Sequence, residues 1–391
     1  MKKEFNFKIS TEIIFGPGKE EEIGKVLTRY GAKNVLIIIG KNSVIKSGLL
    51  NRVIKNLENE NITYEILRGV RANPNYDLVL EGKKIVIEKG IDFLLPIGGG
   101  SVIDTAKCIA VNAFHNGDVK DFNLHLVTPE KALPIGVILT ISAAGSEMST
   151  SCVVQDDETG IKKGFNSELV RPQFAIENPE LTYSVNKEQT AYGVVDIMMH
   201  TLERYFTESE EFELADEFAL GLVRNVREVG LTAYNNPEDY GSRARLMLDS
   251  SISHCGFTNI GKGQIMSVHS LEHALSGKFV HVAHACGLAI LFPGWARKYY
   301  RYDMAKFARL GRYVFDICEK NDEKAALETI QKFEEYFAKM DLPNRLSQVG
   351  VKKEDIDDLV NLVTRNGTYA VPHHILPMDA DVAREIFLEV L

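Results

Sequence analysis

The chain has 391 residues, of which 45% are apolar and 25% are charged, and its formal net charge at pH 7 is -9. This length exceeds the size at which one core grows efficiently, so we expect a globular protein of two domains. The negative balance and the lack of a basic cluster argue against a nucleic-acid partner, and no apolar run approaches the ~20 residues of a membrane helix.

The start of the chain and its cysteines predict a cytoplasmic protein. Residues 1–5 turn polar before the apolar core of a signal peptide forms. The five cysteines are odd in number and widely spaced, and they contain no C-x-x-C pair. This pattern is typical of reduced thiols, so we expect neither a secreted protein nor a membrane partner.

The first half of the chain alternates short apolar runs with amphipathic stretches. Strands are predicted at Val35–Ile39, Phe93–Ile97 and Ile135–Ile141, and helices at Tyr76–Lys89 and Val102–Val111. Strands that are apolar throughout and alternate with helices indicate a parallel sheet covered on both faces. The sequence therefore predicts a Rossmann-like α/β domain.

The second half has a different character. Beyond Pro179 strand-like runs thin out, and long helical patterns follow at Gln189–Phe206, Glu213–Tyr234 and Glu323–Met340. We place the boundary near residue 184, which gives an α/β domain over residues 1–184 and an all-α domain over residues 185–391.

A glycine loop gives the first half a chemical function. Gly98, Gly99, Gly100 and Ser101 follow a predicted strand and precede a predicted helix. Glycine lets the backbone approach a ligand, and the helix N-terminus offers N–H groups to a phosphate. A flexible turn is the simpler interpretation, but open parallel sheets bind nucleotides at this position. A second loop of small residues, 140–147, also follows a strand, so we expect two loops to face one cleft.

The second half contains a concentration of metal-binding residues. Residues 269–284 hold four of the ten histidines. His269 and His273 are four apart and share one face of a helix, and Asp196 and His200 repeat that spacing. Nitrogen and oxygen donors with one open position are typical of a catalytic metal, so we predict an Asp/His/His/His site. A surface pair is the alternative for Asp196 and His200.

Taken together, these motifs resemble the iron-containing (group III) alcohol dehydrogenase family, and within it the branch of butanol dehydrogenases and broad aldehyde reductases. The resemblance spans essentially the whole chain. The segments that carry it are Phe15–Gly18, Asn73-Pro74, Gly98–Asp104, Thr140–Glu147, Glu158–Lys162, Asp196–Phe206 and His269–Ser276.

The resemblance implies a dehydroquinate synthase-like architecture, a Rossmann-like domain followed by an all-helical one. It also implies that Fe2+ or Zn2+ is held by Asp196, His200, His269 and His284, while His273 lies near the nicotinamide. We choose His284 over His281 because it precedes residues 285–289, which are similar to the ending of the family's motif.

The cofactor-binding residues that we expect lie mostly in the loops that follow predicted strands. They are Gly40, Lys41, Asn42, Ser43, Asn73, Gly98, Gly99, Gly100, Ser101, Asp104, Thr140, Ser142 and Lys162.

The loop after the first central strand favours NADP over NAD. Sites selective for NAD usually place a carboxylate near the adenosine ribose, where it repels a 2'-phosphate. This loop reads Gly40-Lys41-Asn42-Ser43 and has no acid. In the enzymes that it resembles, Asp at the position of Lys41 marks NAD users. NAD remains the alternative, with Lys41 as a solvated turn residue.

These parts predict a metal-dependent oxidoreductase that transfers a hydride between NADP(H) and a primary alcohol or aldehyde, and we expect the substrate to be short-chain and aliphatic. The metal polarises the carbonyl and the cofactor supplies the hydride. His273 is the predicted proton relay, because histidine titrates near neutral pH and lies one turn from His269. A homodimer is the expected assembly.

Other interpretations stay open at this level. They are an NAD-dependent polyol dehydrogenase of the glycerol type, a metallohydrolase, and a non-catalytic metal-binding or scaffold protein. Glu203 is most simply an ion-pair partner of a neighbouring Arg or Lys, and Glu272 is expected to face away from the site. His254, His373 and His374 are expected to be structural, and Trp295 and Phe292 to pack in the helical domain.

Overall fold

The computed structural model describes residues 4–159, 162–207 and 213–391. The chain divides into two compact units. The first comprises residues 8–184, and the second comprises residues 185–391 with the N-terminal stretch that ends at Phe7. None of the helices in the described ranges combines the length and the apolar character needed to cross a membrane.

The first unit is an α/β structure with eight strands in its described residues. The strands are β1 Glu12–Phe15, β2 Asn34–Gly40, β3 Thr63–Val70, β4 Phe93–Gly98, β5 Gly136–Leu139, β6 Ser151–Gln155, β7 Lys162–Asn166 and β8 Phe174–Glu177. The helices are α1 Ile23–Arg29, α2 Ser43–Lys46, α3 Leu49–Asn59, α4 Tyr76–Lys89 and α5 Gly100–Asn112.

Six of these strands form one parallel sheet in the order β1-β8-β5-β4-β2-β3, and β6 and β7 form a separate antiparallel hairpin. Every residue of β4 is buried, as are Val35–Ile39 in β2, because helices cover both faces of the sheet. The predicted parallel sheet is confirmed. Strand β5 is shorter than the predicted Ile135–Ile141, because the chain leaves the sheet after Leu139.

The order of the strands creates a switch point between β2 and β4. From β2 the chain proceeds outward to β3, and it then returns to place β4 on the opposite side of β2, with Ile39 beside Ile97. Ligands of open α/β sheets bind beyond the carboxyl ends of the strands at such a point. Gly40 and Gly98 end the two strands that flank it.

The second unit is helical. Its helices are α6 Lys187–Tyr205, α7 Glu213–Asn235, α8 Tyr240–His254, α9 Ser267–Lys278, α10 His284–Tyr299, α11 Met304–Val314, α12 Asp322–Ala338, α13 Ile356–Thr364 and α14 Ala380–Glu389. The all-α character predicted for this half is confirmed. Phe292 and Trp295 are almost fully buried in its core, as expected.

Candidate metal and cofactor sites

Helix α6 positions two of the predicted metal ligands. Asp196 and His200 lie one turn apart on this helix, and the distance between Asp196 Oδ1 and His200 Nε2 is 3.4 Å. Both side chains are buried, because nearly all of α6 is enclosed in the helical core. A buried carboxylate beside a buried imidazole is not a solvated surface pair, which was the alternative interpretation.

Helices α9 and α10 bring the other two ligands to the same place. Donor atoms of Asp196, His200 and His269 all lie within 4.8 Å of one another. The ring of His269 is centred 4.5 Å from that of His200 and 5.2 Å from that of His284. His284 begins α10, and its Nε2 lies 3.9 Å from Asp196 Oδ1. The structure therefore brings all four predicted ligands together.

Two further carboxylates support these histidines. Glu203 Oε2 is bonded to Nδ1 of His269, and Glu272 Oε2 is bonded to Nδ1 of His284. Both glutamates are buried. Glu203 thus bonds to a histidine and not to the Arg or Lys of the simplest interpretation. Glu272 faces the site, so the expectation that it faces away is wrong.

The donor atoms fit a divalent cation. Among the described residues, Nε2 of His269 and Nδ1 of His200 are buried and lack a hydrogen-bond partner, which is costly unless another group completes them. Burial, followed by the nearby His254 and His269 rings, lowers the pKa of His200 well below its usual value, which keeps this imidazole neutral. Neutral imidazoles with a carboxylate are suitable ligands for Fe2+ or Zn2+.

The charge state of His269 is set by its partner. Burial alone would lower the pKa of His269, but the carboxylates of Glu203, Asp196 and Glu272 together outweigh burial, and the pKa lies above its usual value. A bound cation would oppose protonation here, because a metal ligand must be a neutral imidazole.

Three other histidines surround or flank this cluster. The His273 ring is centred 6.3 Å from the His269 ring and 5.7 Å from the His284 ring. His281 is exposed, and its Nε2 contacts the carbonyl oxygen of Val349 at 3.1 Å. His254, expected to be only structural, has its ring 4.3 Å from the His200 ring. His254 is thus part of the wall of this site, and sequence reasoning missed it.

In the first unit, the glycine loop and the second small-residue loop pack closely. A Cβ atom on Gly99 would lie 2.3 Å from Ile141 Cγ2, so only glycine allows this approach. The amide of Thr140 donates to the carbonyl oxygen of Gly98 at 3.1 Å. Among the described side chains, Ser142 has a buried Oγ without a hydrogen-bond partner, as expected for a group that awaits a ligand.

Lys107 of α5 contacts the end of the second loop and the residues that follow it, and sequence reasoning did not select this lysine. Its Nζ lies 2.7 to 3.0 Å from oxygen atoms of Ser146, Ser149 and Ser151. Burial lowers the pKa of Lys107 to about 8, with the Asp104 carboxylate acting in the opposite direction. The charged ammonium therefore persists at neutral pH and holds the second loop against α5.

Asp104 also acts within this unit. One carboxylate oxygen accepts from Ser146 Oγ at 2.7 Å, and the other accepts from the amide of Val153 at 3.0 Å. These contacts orient the second loop and the β6–β7 hairpin. The structure thus places Asp104 as a support of the predicted cofactor loops.

The remaining predicted cofactor residues lie at or near the carboxyl edge of the sheet. Lys41, Asn42 and Ser43 are exposed directly after β2. Asn73 follows β3 with a φ of 58°, a left-handed conformation that Asn tolerates better than most residues. Lys162 of β7 lies opposite Gln155 of β6 in the hairpin. The backbone amide of Gln155 donates to the carbonyl oxygen of Pro74, which follows Asn73 in the chain. Gly160 and Ile161 of the motif at 158–162 lie outside the described residues.

Two protein-family models match this chain, one in each half. A family model described as iron-containing alcohol dehydrogenase matches residues 10–179. A second model, described as the C-terminal part of the Fe-containing alcohol dehydrogenase family, matches residues 190–384. The two models adjoin at the boundary between the α/β unit and the helical unit.

Individual relatives agree with these models. The chain is 38% identical over 367 residues to a probable NADH-dependent butanol dehydrogenase of Bacillus subtilis, covering 93% of this chain and 94% of the relative. It is 31% identical to the NADPH-dependent aldehyde reductase YqhD of Escherichia coli, covering 98% of each. The crystal structure of an NADH-dependent butanol dehydrogenase from Thermotoga maritima is similar with a TM-score of 0.94 and 32% identity, over 99% of this chain and 98% of that one.

Proposed function

We propose, from the premise that this chain belongs to the iron-containing alcohol dehydrogenase family, that it reduces short aliphatic aldehydes with NADPH at a metal held by its helical unit. The family makes the chain an oxidoreductase of alcohols and aldehydes that uses NAD(P) and a divalent metal. It also favours this activity over the polyol, hydrolase and non-catalytic alternatives.

The observation that carries the metal assignment is the convergence of four donors from three helices. We assign the cation to Asp196 and His200 of α6, His269 of α9 and His284 of α10. One carboxylate and three neutral imidazoles supply four donors, so an ion that takes five or six ligands keeps a position for the substrate oxygen. Fe2+ and Zn2+ both suit this donor set, and availability selects between them.

The side chains of this site have separate tasks. When bound, the metal polarises the aldehyde carbonyl and the nicotinamide supplies the hydride. Asp196 and the three histidines hold the cation and keep it from being displaced. His273, one turn after His269, donates a proton to the substrate oxygen during reduction and takes it back during oxidation of the alcohol.

We assign cofactor binding to the edge of the sheet at the switch point. The residues are Gly40, Lys41, Asn42, Ser43, Asn73, Gly98, Gly99, Gly100, Ser101, Thr140, Ser142 and Lys162, with Asp104 acting behind the loops. The glycine loop at the start of α5 offers N–H groups to the pyrophosphate, because the first amides of a helix have no partner within the helix.

The preference for NADPH is inferred from the loop after β2. Lys41 is exposed and no carboxylate stands in residues 40–43, so nothing repels a 2'-phosphate and one cation attracts it. The relatives described above divide between the two cofactors by name, so the loop chemistry is what favours NADPH here.

One experiment tests the proposal. NADPH and NADH oxidation is followed at fixed protein concentration with butanal, before and after removal of metal by a chelator, and then with Fe2+, Zn2+ or Mn2+ restored. We expect NADPH oxidation that is lost on chelation and recovered with a divalent ion. Activity that survives complete removal of metal would overturn the metal assignment, and a strong preference for NADH would overturn the assignment of Lys41.

We further propose a homodimer, supported by an apolar surface on the helical unit. Phe7 and Phe218 each pack edge-on against Phe257 and stay 43% and 40% exposed, and Leu214 on α7 is 64% exposed. Exposed apolar patches of this kind are typical of protein interfaces. Light scattering on the purified protein should give twice the mass of the chain, and a monomer mass would contradict this assignment.

A further inference from the structure

We infer that Glu203 and Glu272 are positioning residues that select the metal-binding tautomers of His269 and His284, and that Glu203 also caps the helix that carries His269. This inference rests on the metal site assigned above. It extends that site from four ligands to two buried carboxylates that bond to ligand histidines.

Helix α9 begins without a cap of its own. Its N-cap residue is Met266, which makes no capping hydrogen bond with its side chain. The missing acceptor comes from α6, where Glu203 Oε1 accepts from the amide of Val268 at 2.6 Å and from the amide of His269 at 3.4 Å. A carboxylate at a helix N-terminus satisfies free N–H groups and interacts favourably with the helix dipole. Glu203 therefore docks the start of α9 onto α6.

The other oxygen of Glu203 determines how His269 presents its ring. An ionised carboxylate only accepts hydrogen bonds, so the Nδ1 atom bonded to Glu203 Oε2 must carry the proton. A neutral imidazole has one proton, which leaves the lone pair on Nε2. This Nε2 is buried and has no hydrogen-bond partner within the described ranges. The carboxylate thus holds His269 in the one tautomer that binds a metal through Nε2.

Glu272 does the same for His284 from a different helix. It lies on α9, and its Oε2 bonds to Nδ1 of His284 at the start of α10. Gly287 makes this approach available, because a Cβ atom there would lie 2.9 Å from Glu272 Cγ. His284 consequently directs Nε2 toward Asp196 Oδ1.

These contacts link the three metal-bearing helices in a cycle. Glu203 connects α6 to α9, Glu272 connects α9 to α10, and the pair of His284 and Asp196 returns from α10 to α6. A carboxylate on α6 orients His269 of α9, and a carboxylate on α9 orients His284 of α10. Loss of either carboxylate should therefore weaken metal binding in addition to any effect on local packing.

The inference is tested with the variants Glu203→Gln and Glu272→Leu, with Glu188→Gln as matched control. Leu is used at 272 because the amide oxygen of a Gln there could still accept from His284 Nδ1. Glu188 is an exposed carboxylate on the same helix α6 and bonds to Tyr192. A Gln at 203 has one acceptor oxygen and one amide group, so either orientation sets a donor against His269 Nδ1–H or against the α9 amides. The dissociation constant of Zn2+ is measured by competition with a chromophoric chelator, and the metal-free proteins are compared by thermal unfolding.

We expect the Zn2+ dissociation constant to rise about 10- to 100-fold in E203Q and in E272L and to stay unchanged in E188Q. The visible spectrum of the Co2+-substituted protein should change in the first two variants only. Parent affinity in both E203Q and E272L would overturn the inference. If metal-free E203Q is unfolded, the affinity of E272L decides, because that variant removes no helix cap. A parent chain that binds Zn2+ yet oxidises NADPH equally well after chelation would overturn the proposed function and leave the inference standing.

Discussion

Lys107 Nζ lies 2.7 Å from the carbonyl oxygen of Ser146, and this contact joins helix α5 to the loop that follows β5. Further oxygen atoms of Ser149 and Ser151 surround the same ammonium. The side chain is fully buried, so a single charge organises a polar turn in the interior of the α/β unit. The lysine thus connects the helix that begins with one predicted cofactor loop to the end of the other loop.

We expect Lys107→Met to destabilise the protein by about 3 kcal/mol, because it leaves several buried carbonyl oxygens without a donor. NADPH should also bind more weakly, since the loop at 140–151 loses its anchor. Urea unfolding and fluorescence titration with NADPH measure the two effects. The control is Lys84→Met, an exposed lysine of α4 that pairs with Glu88. Equal stability of the two variants would contradict the role of Lys107.

The fold was predictable because its elements are locally consistent. Helix α4 was predicted at Tyr76–Lys89 and is found there, since an amphipathic pattern leads into Gly90, which adopts the left-handed conformation that ends the helix. Strands β2 and β4 were predictable because a strand buried on both faces must be apolar throughout. The order of strands was not predicted, because some neighbours in the sheet, such as β1 and β8, are distant in the sequence.

The site was predictable where its residues share a helix. Asp196 and His200, like His269 and His273, show the one-turn spacing directly. Glu203, His254 and Lys107 were missed because their partners come from other elements. The sequence signal that could have revealed Glu203 is its seven-residue spacing from Asp196, which places both residues on one face of α6. A histidine at the end of α8 carries no comparable pattern.

The cofactor preference predicts the effect of a charge reversal after β2. Lys41→Asp removes a cation that attracts the 2'-phosphate and adds a carboxylate that repels it. We expect kcat/KM for NADPH to fall about 10- to 100-fold relative to that for NADH, as for the loss of a hydrogen bond between charged groups. Steady-state rates with both cofactors measure this ratio, and Lys46→Asp, at the end of α2, is the control. An unchanged ratio would show that Lys41 does not face the phosphate.

The assignment of His273 as proton donor predicts a separation of metal binding from turnover. His273→Gln should lower kcat by about 100-fold, because a positioned general acid contributes at least this much, while Zn2+ binding stays at the parent level. Metal content and stopped-time assays on the same samples measure both. Loss of metal together with activity would instead place His273 among the ligands.

Because of the buried carboxyl of Asp249, we expect the free energy of unfolding to fall as the pH rises. Burial raises the pKa of this carboxyl from 3.8 to about 7, although the hydrogen bond from Asn225 and the charge of Arg245 act in the opposite direction. The folded protein therefore holds the proton more tightly than the unfolded chain does, so the stabilisation is complete below pH 4 and is lost as the pH rises through 7.

We compare the free energy of unfolding of Asp249→Asn with that of the parent at two pH values. The difference should shift by about 2 kcal/mol in favour of the variant between pH 5 and pH 8, because the amide cannot ionise. Urea unfolding of the metal-free proteins at the two pH values measures the gain. Asp358→Asn changes an exposed carboxylate that pairs with Lys278, and its difference from the parent should not vary with pH. A pH-independent effect of D249N would show that Asp249 ionises normally.

His281 and His284 provide a matched pair for the metal assignment, because they are three residues apart and only one of them faces Asp196. His284 Nε2 lies 3.9 Å from Asp196 Oδ1, whereas the His281 ring is exposed and contacts the carbonyl oxygen of Val349. We expect His284→Ala to weaken Zn2+ binding by at least about 100-fold, more than the loss of a supporting carboxylate, and His281→Ala to leave it unchanged. Chelator competition on both variants decides the point. If H281A loses the metal and H284A keeps it, the ligand set must be reassigned, since the cation would then be held by a residue three positions before α10 begins.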